Sequence, residues 1–273
     1  MGTTNGAAGG PPSSWARYWR DGSRPLEAMH AHFFEHVYTP HSHDTYSFGI
    51  TDVGAQAFRC RGADHTSGAG MIMAFNPDDV HDGRAAADLG YQYRIVHIGP
   101  SVVGEILADA TDRPTAALPL FMQPRMHGAL AERASPLVRE EYLTATVLAM
   151  AIRGSTRAPR VRTRAGRTQF RAARRARTLL DEAFLEPLTA EDLAAAAGCG
   201  RFALYRAFRE EYGMPPSAYQ RLLRLRHARL LLIRGLPPAD AAASAGSADQ
   251  AHFNRWFKRT YGVTPGIFSS AGL

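Results

Sequence analysis

His41, His43 and His81 are the side chains whose types and spacing best suit ligand chemistry in this chain. Residues two apart on a strand project to one face, so His41 and His43 would share a side and a neighbouring strand would bring His81 beside them. Three imidazoles so placed suit zinc, iron, manganese or nickel, but they equally suit hydrogen bonding to an organic ligand or a structural role. No metal and no cofactor is assigned to them here. The expected ligand contacts are His43 and His81 as polar groups, Tyr46 and Phe48 as an aromatic wall, and Arg94 as an anion partner if it points inward. His97 is a further polar group, yet it has the opposite strand parity to Arg94, so a regular strand cannot turn both inward. Ordinary core packing competes as the account of the two aromatics.

A second set of chemically useful residues occurs twice. Leu204-Tyr-Arg-Ala-Phe-Arg-Glu-Glu-Tyr-Gly-Met-Pro-Pro-Ser-Ala-Tyr219 returns 49 residues later as Phe253-Asn-Arg-Trp-Phe-Lys-Arg-Thr-Tyr-Gly-Val-Thr-Pro-Gly-Ile-Phe268. Each copy follows an Ala-rich stretch and a glycine turn, which makes a helix-turn-helix whose second helix can lie in the major groove of double-stranded DNA. In the first copy Leu204, Ala207 and Phe208 form the apolar stripe, leaving Phe202, Tyr205, Arg206 and Arg209 outward. In the second, Phe253, Trp256 and Phe257 face in and Ala251, Asn254, Arg255 and Lys258 face out. Arg can take both acceptors of guanine, Asn pairs bidentately with adenine, and Phe or Ala meets a thymine methyl. Arg209 and Lys258 are placed for phosphates, and Ala203 and Gln250 complete the two expected DNA-contacting sets.

The elements that must position these residues fall into two halves. Residues 1–153 hold 12 basic and 16 acidic side chains, residues 154–273 hold 20 and 9, and nine of the eleven histidines lie in the first half. A basic C-terminal part calls for a polyanion partner. Between Leu26 and Ile98, short stretches rich in aromatic and β-branched residues, broken by Gly, Asp and Pro, predict a small β-sandwich or barrel, with a break at Val53-Gly-Ala55. Residues 101–153 predict a helical extension, whose Leu137, Tyr142 and Leu148 would either seam a homodimer or cover the barrel. Residues 154–167 are basic without an apolar stripe and predict a linker. From 168 the pattern is helical, and about 18 residues from Pro216 to Ile233 make a strut of roughly 27 Å that would set two reading helices in successive major grooves.

Residues 1–23 predict a loose terminus with no signal-peptide pattern. No apolar run approaches the roughly 18 residues that span a bilayer, and the two cysteines, one in each half, imply no disulfide framework, so a reducing cytoplasm is expected.

The residues Ala242…Gly246…Asp249-Gln-Ala-His-Phe253…Arg255-Trp-Phe-Lys-Arg-Thr-Tyr-Gly-Val-Thr-Pro265 resemble the DNA-binding domain of the AraC/XylS family of bacterial transcription regulators. The resemblance implies an α+β chain: a cupin-like ligand-sensing barrel (24–100) with its helical extension (101–153), then an all-α domain (168–273) of two helix-turn-helix units. It implies promoter regulation by recruiting or blocking RNA polymerase under control of a small-molecule effector. His41-Ser-His43 with Gly70…Asn76-Pro-Asp-Asp-Val-His81 is similar to the two cupin motifs. The catalytic cupin pattern, however, wants a carboxylate where Ser47 and Phe48 stand, and a metal-dependent cupin enzyme is the alternative reading. Three departures from the family pattern weaken the helical scaffold: Ser247 in place of Phe, Pro237-Pro238 before the second scaffold helix, and Gly200 in place of a Ser N-cap.

Overall fold

The computed structural model describes residues 14–109, 135–154, 164–247 and 249–271. Eight strands form one curled antiparallel sheet: β1 (Trp15–Arg20), β2 (Leu26–Phe33), β3 (Tyr38–His41), β4 (Tyr46–Cys60), β5 (Ala63–Gly68), β6 (Ile72–Phe75), β7 (His81–Ala85) and β8 (Tyr91–Ile98). The long β4 makes the curl, because its first half pairs with β8 and β6 and its second half with β5 and β7. The bend falls at Gly54, where φ is 73° and a Cβ would meet the Gly90 carbonyl oxygen at 2.2 Å. Glycine alone permits both that conformation and that approach. The chain therefore bends at the expected break without leaving the sheet.

Residues 15–20 correct the expectation of a loose terminus through residue 23, since β1 pairs with β2 along its whole length. Its alternation was the available signal: Ala16 and Tyr18 pack toward one side of the sheet and Trp19 toward the other.

Strand alternation gives the sheet two apolar faces. On the outer face Leu26, Ala28, Phe48, Val96 and Ile98 pack against α1 (Pro100–Asp109) and α2 (Pro136–Gly154) through Val102, Ile106, Leu143, Val147 and Leu148. The stripe of α2 thus covers the sheet. Leu148 is buried in that cluster and Tyr142 packs at its edge, while Leu137 is 79% exposed. Ion pairs of Arg139 with Asp21 (2.6 Å) and Arg24 with Glu140 (2.5 Å) fix the helix to the β1–β2 turn.

The C-terminal part comprises α3 (Arg164–Ala183), α4 (Ala190–Ala197), α5 (Arg201–Tyr212), α6 (Pro216–Ile233), α7 (Pro238–Ser244), α8 (Gln250–Tyr261) and α9 (Pro265–Ser270). Helix α3 begins inside the stretch expected to be a linker, of which residues 155–163 lie outside the described residues. A capping box between Thr189 and Asp192 starts α4, and Gly198 at φ 67° ends it.

The two helix-turn-helix units are packed differently. The first has a core of its own, with Leu180, Leu193, Leu204, Phe208, Met214 and Leu222 at its centre. The second has no separate core: Leu225, Ala228, Phe253, Phe257, Tyr261 and Phe268 join Met29, Phe33, Tyr38, Phe75 and Ile95 on the inner face of the sheet in one cluster. Fully burying Phe257 and Phe268 contributes about 1.5–3 kcal/mol each, so the seam between sheet and second unit is a real piece of core.

Candidate effector cavity and DNA-reading helices

Strand parity also decides which polar groups face inward. Odd-numbered residues of β8 turn to the inner face, so His97 reaches a cavity there while Arg94 points outward. The cavity, of about 50 Å³, is lined from the sheet by His41, His43, His81, His97, Tyr38, Tyr93, Gln56 and a wall of Met29, Met73 and Phe75. Its remaining wall comes from the DNA-binding part: Arg229 on α6, and Thr260 and Tyr261 on α8.

Of the five expected ligand contacts, His43 and His81 line the cavity and three do not. Tyr46 and Phe48 lie on the outer face against α1 and α2, which is the core-packing alternative. Arg94 holds Asp52 through two hydrogen bonds, at 2.8 Å and 2.5 Å. Sequence could have excluded Tyr46 and Phe48 only by knowing which face the helices cover. The contributions of Arg229 and Tyr261 carried no local signal at all.

The histidines meet as the strand register brings them together. β3 pairs with β7 so that His41 stands directly opposite His81, and the rings of His41, His43 and His81 lie 4.5–5.3 Å apart. Their nearest ligand atoms all fall within 4.8 Å of one another. A carbonyl oxygen can only accept, so His41 donates Nδ1–H to Thr39 at 2.7 Å and His81 donates Nδ1–H to Asp79 at 2.9 Å. Both rings are thereby left with a bare Nε2 lone pair, the arrangement that orients an imidazole for a ligand. Burial keeps all of them neutral: it depresses His41 and His43 well below the usual range and His81 and His97 to about 4. His97 is held by a 2.8 Å hydrogen bond with the Ser47 hydroxyl, at one of the positions where the catalytic cupin pattern would place a carboxylate.

At the cavity edge, Arg229 forms a buried ion pair with Glu27, which also accepts a hydrogen bond from Tyr18. Burial pushes the Glu27 carboxyl up, but the charge of Arg229 and these hydrogen bonds outweigh it and hold Glu27 below the usual carboxylate range. The guanidinium is correspondingly held charged.

The reading helices follow the duplicated pattern with one asymmetry. On α5, Leu204, Ala207 and Phe208 are buried, whereas Phe202, Ala203, Tyr205, Arg206 and Arg209 are exposed; Phe202 is 83% exposed, unusual for an aromatic without a partner surface. On α8, Gln250, Ala251, Arg255 and Lys258 are exposed with His252 and Arg259, but Asn254 is half-buried. Trp256, expected in the core stripe, is only partly buried. It donates to His252 at 2.7 Å and lies 3.7 Å beneath the guanidinium of Arg221. The N-caps differ as expected for α5, where Gly200 supplies no side-chain bond, while Asp249 accepts from the amides of Ala251 and His252 on α8. Helix α7 is short and buries only Ala241 and Ala242, in keeping with its proline start.

A curled sheet with an inner cavity, carried on two exposed basic reading helices, defines a ligand-responsive DNA-binding regulator. Residues 25–149 match the AraC-like ligand binding domain and residues 193–271 a helix-turn-helix domain. The chain belongs to the AraC-type transcription regulators. It is 26% identical over 236 residues to YbfI of Bacillus subtilis (strain 168), an uncharacterized HTH-type transcriptional regulator, covering 78% of this chain and 80% of that protein. It is 38% identical over 82 residues to the transcriptional activator NphR of Rhodococcus sp, 30% of this chain and 24% of that protein. In fold it is similar to ToxT from Vibrio cholerae O395, with a TM-score of 0.55 and 11% identity over 96% of this chain and 99% of that one.

Proposed function

We infer that the effector of this regulator binds in the inner cavity and that its occupancy is felt by the second reading unit. The observation that carries this is the shared wall: one side is imidazoles and tyrosines of the sheet, the other Arg229, Thr260 and Tyr261 of the DNA-binding part. The Tyr261 hydroxyl is buried without a partner and offers a donor to an incoming acceptor. With Arg229 committed to Glu27 and the histidines neutral, the cavity suits a compact ligand bearing an oxygen acceptor and one apolar face. ToxT has been solved with an unsaturated fatty acid bound, but about 50 Å³ leaves no room for a long acyl chain here. DNA reading is assigned to Phe202, Tyr205 and Arg206 on α5 and to Ala251, Asn254 and Arg255 on α8, with Arg209 and Lys258 on phosphates. The setting is the cytoplasm and the downstream partner is RNA polymerase. The test is a thermal-shift panel of compact organic acids and hydroxylated aromatics with the full chain. Hits should shift the wild type and shift Tyr261→Phe less, and no hit across the panel would count against the cavity as an effector site.

A second reading has a specific observation in its favour. The bare Nε2 atoms of His41 and His81, beside His43, fit a divalent transition metal, which when bound would anchor an oxygen ligand or activate it as a Lewis acid. The chain's own part would be to hold three neutral imidazoles in place. Elemental analysis of protein purified without chelator decides it, and absence of stoichiometric metal ends both this reading and the metal-dependent enzyme.

A further inference from the structure

The duplication supplies an internal control, because each position on α8 has an equivalent 49 residues earlier on α5. Gly213 and Gly262 cap the two reading helices with φ of 71° and 75°. Gly213 is exposed and touches the sheet domain lightly, a Cβ there meeting Val80 at 3.1 Å. Gly262 is buried, and a Cβ there would meet the Tyr38 hydroxyl at 2.3 Å. Tyr212 stays among Phe208 and Tyr219 of its own unit, whereas its equivalent Tyr261 is buried at the cavity. Tyr205 is 46% exposed, whereas its equivalent Asn254 is half-buried with Oδ1 inaccessible and unpartnered.

We propose that the sheet domain masks the second reading helix, turning Asn254 away from DNA until the seam opens. Asn254 shares one side of α8 with Lys258 and Tyr261, four and seven residues on. Tyr261 faces the cavity, and the charge of Lys258 bears on His36 between β2 and β3. The seam is imperfectly satisfied in a way ordinary cores are not. His36 Nε2, Arg226 Nε, Asn254 Oδ1 and the Tyr261 hydroxyl are four of the eight buried unpartnered side-chain atoms among the described residues. An amide kept dry without a partner gains by moving to a base edge that offers one. What holds the seam shut is polar and releasable: Asp78, at φ 64°, bonds Arg226 of α6 and Arg177 of α3 at 3.0 Å each. The first unit, with its own core, needs no such release.

This inference rests on the regulator reading. The test uses the full chain and duplexes that it selects from a random pool, with Asp78→Ala and His36→Lys as two independent ways to loosen the seam. Circular dichroism checks that each stays folded. In either variant, nuclease protection should lengthen by about 10 bp, one helical turn, as the second helix engages. Asn254→Ala should weaken binding about tenfold more in the Asp78→Ala background than in the wild type. Equal protection lengths, or an equal Asn254→Ala loss in both backgrounds, overturns masking while leaving the regulator reading intact. If no variant selects any sequence, the regulator reading fails and this one falls with it.

Discussion

Single side chains carry the sequence-reading claim, and they can be tested one at a time. Arg206→Ala and Arg255→Ala should each cost about 1–3 kcal/mol of specific binding if each reads a base, with the fold unchanged, measured by titration against selected and scrambled duplexes. Uniform weakening on both duplexes would reassign the residue to phosphate. Gly262→Ala should destabilise the chain by more than about 1 kcal/mol in denaturant melts, because it combines a left-handed φ with a clash on Tyr38. Gly213→Ala, with a comparable φ but only Val80 nearby, should cost less. The difference between the two isolates what the sheet domain adds.

Elements meet at the seam, where His36 gives a pH signature. Burial, reinforced by Lys258, depresses its imidazole from 6.5 to about 4. Phe33 and Tyr38 flank it, and His41 is the other titratable imidazole close by. A group whose folded pKa is depressed this way binds its proton more readily once released. Its contribution to closure is therefore complete above about pH 6.5 and is lost as pH falls toward 4. Melting midpoints should drop through that window, and His36→Gln should flatten the drop. An unchanged pH profile in the variant would separate His36 from the seam's stability. At the same scale, the sequence showed the duplicated helices and their caps, because helical periodicity and a glycine stop are local properties. It missed β1, since six alternating residues beside a Gly- and Pro-rich start look like terminus until β2 is there to pair with them.

For the molecule as a whole, the Glu27–Arg229 pair joins the two halves through a buried charge on each side. Removing one partner, as in Arg229→Met, should cost about 3–5 kcal/mol by stranding the Glu27 carboxylate, and Glu27→Gln in the same chain should restore much of it. Thermal and chemical unfolding of the two single and one double variants measure the coupling. The two reading helices present Phe202-Tyr205-Arg206 against Ala251-Asn254-Arg255, so one subunit's site should consist of two unlike half-sites.

The amino-acid order alone determined the reading helices, their duplicated outward positions and the pairing of His41 and His43 with His81, since each follows from periodicity or strand register over short stretches. It also carried the weak scaffold of the second unit in Pro237, Pro238 and the small alanines. Only the tertiary structure decided which face of the sheet each aromatic serves, for Tyr46 and Phe48 have the parity of the helix-covered side. Only there do Arg229 and Tyr261 become part of a cavity built by residues some 130 to 220 positions earlier, which no local pattern can register. The same packing gave the second reading unit no core of its own, and that dependence on the sheet is what separates two helices that look alike in sequence.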